Sequence, residues 1–140
     1  MVKKMERTFF VIKPSGTKED KWLKILQIYL QVEGAKILCS KILCPIPREL
    51  AEKLYEGHRG MAHFEPLIDS LCCGVSIVGV IEGDGIIEKI RAINGATNPE
   101  IAAEGTIRRI FGINTRENAV HCSDSQISEA RETPIFFPAL

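Results

Sequence analysis

No apolar run in the sequence approaches the length that a membrane helix needs, so no transmembrane segment is expected. Behind the basic start Met1-Val2-Lys3-Lys4-Met5-Glu6-Arg7 there is no apolar stretch of the signal-peptide kind, so no secretory leader is expected either. Neither sign of charge is in excess: 18 Lys and Arg balance 18 Asp and Glu. That balance argues against a partner read through bulk electrostatics, such as duplex nucleic acid or an anionic membrane, but leaves room for a local basic cluster. The five cysteines, at 39, 44, 72, 73 and 122, are odd in number and form no C-x-x-C. A disulfide framework or a zinc knuckle does not fit that pattern; free thiols in a reducing cytoplasm do. Several catalytic signatures are also missing. There is no G-x-x-x-x-G-K-[ST], Gly83-Asp84-Gly85 lacks the third glycine of a dinucleotide fingerprint, and neither H-E-x-x-H nor G-x-S-x-G occurs. If the chain handles a nucleotide, it must do so by another route.

What is present fits one domain over residues 1–140, long enough to bury a core without staples. Apolar residues make up 45% and charged residues 26%, the balance of an ordinary globular chain. Glu6 to Lys13 reads as a strand of β-branched and aromatic residues ended by Pro14 and Gly16. Thr17-Lys18-Glu19-Asp20 resembles a capping box, and Trp22, Ile25, Leu26 and Tyr29 then share a helical face as far as Gly34. Ala35 to Leu43 is a second strand. Two short helices follow, one opened by Pro47 and closed by Gly57, the other carrying Phe64, Leu67, Ile68 and Leu71.

Gly74 to Glu82 is apolar on both faces, with Val75, Ile77 and Ile81 opposite Val78 and Val80, which marks a central strand. Asp84 is placed to cap a helix striped with Ile86, Ile90 and Ile93 and stopped by Gly95. Residues 95–117 lack sustained periodicity, and so long a connection in a compact domain is usually functional. Asn118 to Cys122 is a short strand, Ser123 to Gln126 a capping box, and Ile127 to Thr133 a helix ended by Pro134. Four strands with interleaved helices predict an α+β, ferredoxin-like βαββαβ sandwich with a four-stranded antiparallel sheet.

The most informative segment is Asn118-Ala119-Val120-His121-Cys122-Ser123-Asp124-Ser125, where a histidine ends a strand just before a helix opens. Helix N-termini present unpaired N–H groups and positive partial charge, so a phosphoryl group carried on His121 would be well placed. Neutral imidazole is a competent nucleophile, and a carboxylate on its second nitrogen, Glu129 or Glu132, would fix the tautomer. Phosphate handling also needs cations. Lys13, Arg91 and Arg108 are the candidates, with the Thr97 hydroxyl as a further donor and Tyr55 as a brace for the imidazole.

Glu6-Arg7-Thr8-Phe9-Phe10-Val11-Ile12-Lys13-Pro14-Ser15-Gly16, Gly95-Ala96-Thr97-Asn98-Pro99, Gly105-Thr106-Ile107-Arg108 and the His121 segment occur in an order that resembles the nucleoside diphosphate kinase family. The family's corresponding patterns are E-R-T-F-x-x-I-K-P-D-G, G-x-T-N-P, G-T-I-R and N-x-x-H-G-S-D-S. The resemblance implies transfer of a terminal phosphoryl group between nucleoside tri- and diphosphates through a phosphohistidine on His121. It makes Glu132 the orienting carboxylate and Lys13, Arg91, Thr97 and Arg108 the phosphate ligands. Asn118 would bond the sugar, and Tyr55 and Ser123 would support the lysine and the histidine. Magnesium would be held mainly by the nucleotide phosphates, without a dedicated protein metal site. The resemblance further implies a cytoplasmic homo-oligomer, hexameric or alternatively tetrameric, with no membrane or stable nucleic-acid partner.

The chain departs from the family's pattern at Ser15, which stands for Asp, and at Arg109 and Ile110, which stand for Gly and Asp. It also departs at Cys122, which stands for Gly, and at the base site. There His63 takes the place of a stacking Phe, and Thr115 that of an apolar cover. Weaker base contacts and broad base tolerance are therefore expected. Two rival classes are a catalytically weak homologue that binds nucleotide or scaffolds, and an RRM-like RNA-binding module. The latter needs stacking aromatics on a central strand, and Gly74 to Glu82 has none.

Overall fold

A computed structural model describes residues 3–140. Met1 and Val2, the start of the N-terminal stretch read above for a leader, lie outside the described residues. The sheet contains β1 (Met5–Ile12), β2 (Lys36–Leu43), β3 (Ser76–Asp84) and β4 (Val120–Cys122), in the order β2-β3-β1-β4. Every neighbouring pair is antiparallel, which gives the ferredoxin-like arrangement. Alternation along β1 divides the core in two. Phe10 and Ile12, with Ile77 and Ile81 of β3, meet α2 (Lys21–Leu30) and α5 (Ile86–Asn94) through Ile25, Tyr29, Ile86 and Ile90. Phe9 and Val11, with Val78 and Val80, meet α3 (Arg48–Leu54), α4 (Phe64–Cys72) and α7 (Gln126–Phe136) through Ala51, Leu54, Ile68 and Phe136. Helices thus cover both faces of the sheet, as the two-sided apolarity of β3 requires. Phe9 stacks on Phe136 with ring centroids 5.1 Å apart, and Tyr29 packs edge-on to Phe10 at 5.6 Å. No helix among the described residues is long and apolar enough to cross a membrane.

Several expected boundaries move. Thr17 belongs to a short helical turn, α1 (Pro14–Thr17), and caps nothing; its hydroxyl is drawn to the carbonyls of Pro14 (3.2 Å) and Val75 (2.8 Å). β3 begins at Ser76 rather than Gly74 and runs on to Asp84, because Glu82, Gly83 and Asp84 stay paired with Arg7, Glu6 and Met5. Asp84 therefore remains in the strand, its carboxylate accepting the Lys4 N–H at 2.6 Å, and Gly85 with φ 59° starts α5. The fourth strand is shortened to three residues because Ala119 adopts φ 75°. Ser125, not Ser123, caps α7 by accepting the Ser128 N–H at 3.1 Å. Pro134 does not end α7. It has no N–H to bond the carbonyl four residues back, yet the helix extends to seat the buried Phe136. The connection from 95 to 117 is not wholly irregular either: it contains α6 (Ile107–Phe111), capped by Thr106 and pinned by the buried Ile107.

Candidate active site

β4 lies at one edge of the sheet, and a cleft of about 1040 Å³ opens along it. Its walls come from the end of β1, the turn after α3, the start of α4, α5 and the 95–118 segment. Antiparallel pairing sets His121 opposite Val11, on the α3/α7 side of the sheet, and sets Cys122 opposite Phe10, on the α5 side. Consecutive residues of an edge strand therefore straddle the rim of the cleft. Lys13, one residue beyond β1, donates its backbone N–H to the Ala119 carbonyl at 2.8 Å, which sets its side chain beside Asn118. Ser15, two residues on in α1, holds the same crossing: its hydroxyl accepts the Ala119 N–H at 3.0 Å. The departure at Ser15 is thus a buried backbone anchor.

His121 is held from behind. Its Nε2 lies 3.1 Å from Glu132 Oε1, the same oxygen that accepts the Ser123 hydroxyl at 2.9 Å. Ser123 in turn accepts the Phe9 N–H at 3.1 Å, so the relay is tied into the sheet. A carboxylate only accepts, so the Nε2 nitrogen carries the proton and Nδ1 keeps its lone pair. Nδ1 is 3.4 Å from the Tyr55 hydroxyl. Burial, reinforced by the nearby Glu132 carboxylate, raises the Tyr55 pKa and keeps the phenol protonated. Glu129 takes no part: its carboxylate accepts the Thr133 hydroxyl at 2.6 Å within α7.

Lining the same cleft as His121 are two basic residues without acidic partners. Lys13 is only 5% exposed and donates to Asn118 Oδ1 at 2.8 Å. Burial, aided by the Arg108 guanidinium, lowers its pKa to about 7. Arg108 is fixed by two carbonyls, Gly95 at 2.7 Å and Val120 at 2.9 Å, and its buried Nε has no partner. Among the described residues neither Lys13 nor Arg108 forms an ion pair. A buried lysine beside a half-buried arginine, neither with a counter-ion, amounts to a prepared anion site. Asn118 completes its own bonding by donating to the carbonyls of Thr97 (3.0 Å) and Thr115 (3.2 Å), which binds the loop to the strand. Gly95 permits the loop to pass Thr106: a Cβ there would stand 2.6 Å from the Thr106 hydroxyl, and φ is +85°.

Of the ten residues singled out by sequence, Lys13, Tyr55, His63, Arg91, Thr97, Arg108, Asn118 and His121 line this cleft. Ser123 and Glu132 stand buried behind His121. Cys122 also faces the cleft, its thiol pushed up to about 11 by burial, so it is a neutral neighbour. Arg109 ties the loop to itself through the Glu100 carbonyl at 2.8 Å. Sequence reading missed His58, Glu88, Arg116 and Asp124 as lining residues. Asp124 stood inside the quoted His121 segment and was the one with a usable signal. Its carboxyl is held below its usual range by the Ser128 hydroxyl.

The sequence profile of the family described as nucleoside diphosphate kinase matches residues 6–140. The nucleoside diphosphate kinase of Methanocaldococcus jannaschii is 40% identical over 132 residues, covering 94% of this chain and 93% of that protein. That of Archaeoglobus fulgidus is 41% identical over 133 residues, covering 95% of this chain and 87% of that protein. Among solved structures, the Aquifex aeolicus nucleoside diphosphate kinase superposes with a TM-score of 0.90 at 33% identity, over 96% of both chains.

Proposed function

The chain belongs to the nucleoside diphosphate kinase family, and on that premise we propose that it moves the terminal phosphoryl group of a nucleoside triphosphate to a nucleoside diphosphate by way of His121. The observation that carries the proposal is His121 with Nε2 committed to Glu132 and Nδ1 met by the Tyr55 hydroxyl alone, in one cleft with Lys13 and Arg108. Nδ1 attacks the terminal phosphorus as the bond from phosphorus to the bridging oxygen breaks, and the leaving nucleoside diphosphate keeps that electron pair. A second diphosphate reverses the step. Little covalent chemistry falls to the protein; alignment and charge neutralisation carry the rate. Lys13, Arg91, Arg108 and the Thr97 hydroxyl take the phosphates, Asn118 the sugar, and His63 the base. Tyr55 steadies Lys13 and Nδ1. Glu132, set by Ser123, balances the charge that phosphorylation leaves on the ring.

Magnesium fits this site as a nucleotide-borne ion. Among the described residues no three His, Cys, Asp or Glu side chains cluster to hold a metal unaided; Asp124 lines the cleft wall, as does Glu88, which pairs with Arg91 at 3.4 Å. When bound, magnesium would neutralise phosphate charge and orient the chain of phosphates. The proposal also takes residues 1–140 as one cytoplasmic domain that assembles into a homo-oligomer, hexameric or tetrameric. The free cysteines and the exposed Ile101, Ile110 and Ile113 of the long loop are in keeping with it. Steady-state kinetics with varied triphosphate and diphosphate test the reaction. Parallel double-reciprocal lines are expected, and intersecting lines would rule out the phosphoenzyme cycle. Light scattering tests the assembly.

A further inference from the structure

Two histidines that the phosphoryl chemistry does not use face one another on the cleft wall. His58 ends a single 3-10 turn (Glu56–His58) after α3, and His63 immediately precedes α4. Nδ1 of His58 and Nε2 of His63 are 2.8 Å apart, with ring centroids 5.0 Å apart and planes at 74°. The His58 ring also lies edge-on to Tyr55 at 5.6 Å, and Tyr55 lies edge-on to His121 at 5.6 Å. Four rings in contact therefore lead from the nucleophile to His63. His63 is exposed and His58 half-buried. Among the described residues neither forms an ion pair, so no carboxylate orients them and each ring orients the other. Burial and the neighbouring His63 lower the His58 pKa, which favours its neutral imidazole.

An exposed imidazole left alone samples several rotamers, and a nucleobase stacking on it must freeze that motion on binding. A bond to a half-buried neighbour removes that cost beforehand. It also engages Nε2, so only Nδ1 of His63 remains for a ligand, as donor or acceptor according to which ring holds the shared proton. We infer that His58 is a positioning residue that locks His63 in one orientation, with its Nε2 engaged, for the nucleobase of a nucleoside di- or triphosphate. This inference rests on the kinase reading above. The chain thereby recovers, through a paired histidine, part of the rigidity that a fixed hydrocarbon ring at position 63 would supply.

The test is a set of variants, His58→Leu and His58→Asn, each made in the native chain and in a His63→Phe background. Asparagine sets an amide where Nδ1 stood and can rebuild the bond; leucine cannot. Steady-state kcat and KM for nucleoside diphosphates are measured, together with label uptake from γ-labelled ATP. His58→Leu should raise KM by about three- to tenfold, the worth of one neutral hydrogen bond, with kcat within about twofold of native. His58→Asn should return KM to within about twofold, and in the His63→Phe background His58→Leu should leave KM within about twofold of that background. An equal rise in KM in both backgrounds, or a fall in kcat at unchanged KM, would make His58 a packing residue and overturn the inference. If native protein takes up label and His58→Leu leaves KM unchanged, the role of His58 alone falls. If native protein takes up no label, the kinase reading falls and this role falls with it.

Discussion

Replacing Glu132 by glutamine keeps the shape of the side chain and removes its charge. The carboxylate is 4% exposed and its Oε1 carries two bonds, from His121 Nε2 and from the Ser123 hydroxyl. Hydrogen bonds to a charged group contribute about 1.5–3 kcal/mol, against about half that or less for neutral ones. In the proposed mechanism the imidazolium charge grows as Nδ1 bonds to phosphorus, so the charged bond is strongest in the transition state. Losing that difference, about 0.75–1.5 kcal/mol, should slow phosphoenzyme formation about three- to tenfold, at about 1.4 kcal/mol per tenfold. Glutamine adds a second penalty. Whenever its amide nitrogen faces His121, Nε2 must accept, the proton moves to Nδ1, and the nucleophile is blocked. Folding should hardly suffer, because a buried carboxylate exchanged for a neutral isostere loses its desolvation cost along with its bonds. Rapid-quench measurement of label uptake from γ-labelled ATP, beside a urea melt, reads both effects. A rate within about twofold of native at unchanged stability would refute the role given to Glu132.

The remaining expectations concern Lys13, Gly16 and His63. Lys13 has its pKa lowered by burial, and secondarily by Arg108, to about 7, so the empty cleft holds it partly neutral at neutral pH. Arriving phosphates raise that pKa again, so binding should take up about half a proton at pH 7, nearer one at pH 8.5 and little below pH 6. Nucleotide affinity should accordingly fall as pH rises above 7, while the empty fold gains stability over the same range, because the unfolded chain still binds that proton. Calorimetry in buffers of different ionisation heat reads the uptake, and Lys13→Met should abolish it; buffer-independent heats at pH 8 would contradict this account. In Gly16→Ala the new Cβ would stand 2.5 Å from the Ala119 carbonyl that accepts the Lys13 N–H. Such overpacking costs about 1–3 kcal/mol, seen as a lower urea midpoint, and unchanged stability would show that the crossing yields freely. His63→Phe should tighten binding of purine and pyrimidine nucleotides alike by about two- to tenfold, since base stacking on aromatic rings contributes about 1–3 kcal/mol per base; weaker binding would show that the imidazole contacts the base specifically.

The fold was legible where burial is periodic. The run of β-formers in β1 and the two-sided apolarity of β3 mark the strands of the sheet, and the apolar stripes of α2 and α5 follow from spacing alone. It was less legible wherever a local signal competed with a distant partner. Thr17 and Ser123 each sit in a good capping sequence, but Thr17 serves carbonyls on two elements and Ser123 bridges Phe9 to Glu132. Pro134 is a sound stop signal that the buried Phe136 overrides. The candidate site was legible because its chemistry is concentrated in short segments whose residues the topology gathers at the β4 edge. The choice between Glu129 and Glu132 was not legible from His121 and helical spacing alone, because it turns on which face of α7 lies against the sheet. The His58–His63 contact was hidden for another reason: it depends on the path of a short turn between two helices, which no periodicity encodes.

The central claim is that His121 carries the phosphoryl group. Native protein and His121→Ala are incubated with γ-labelled ATP, freed of nucleotide, digested, and mapped by mass spectrometry under alkaline conditions before a diphosphate is added. The account predicts one acid-labile, alkali-stable label, on the native peptide containing His121, that leaves for the added diphosphate and is missing from the variant. A label that survives acid, that maps to another residue, or that persists in His121→Ala would contradict it.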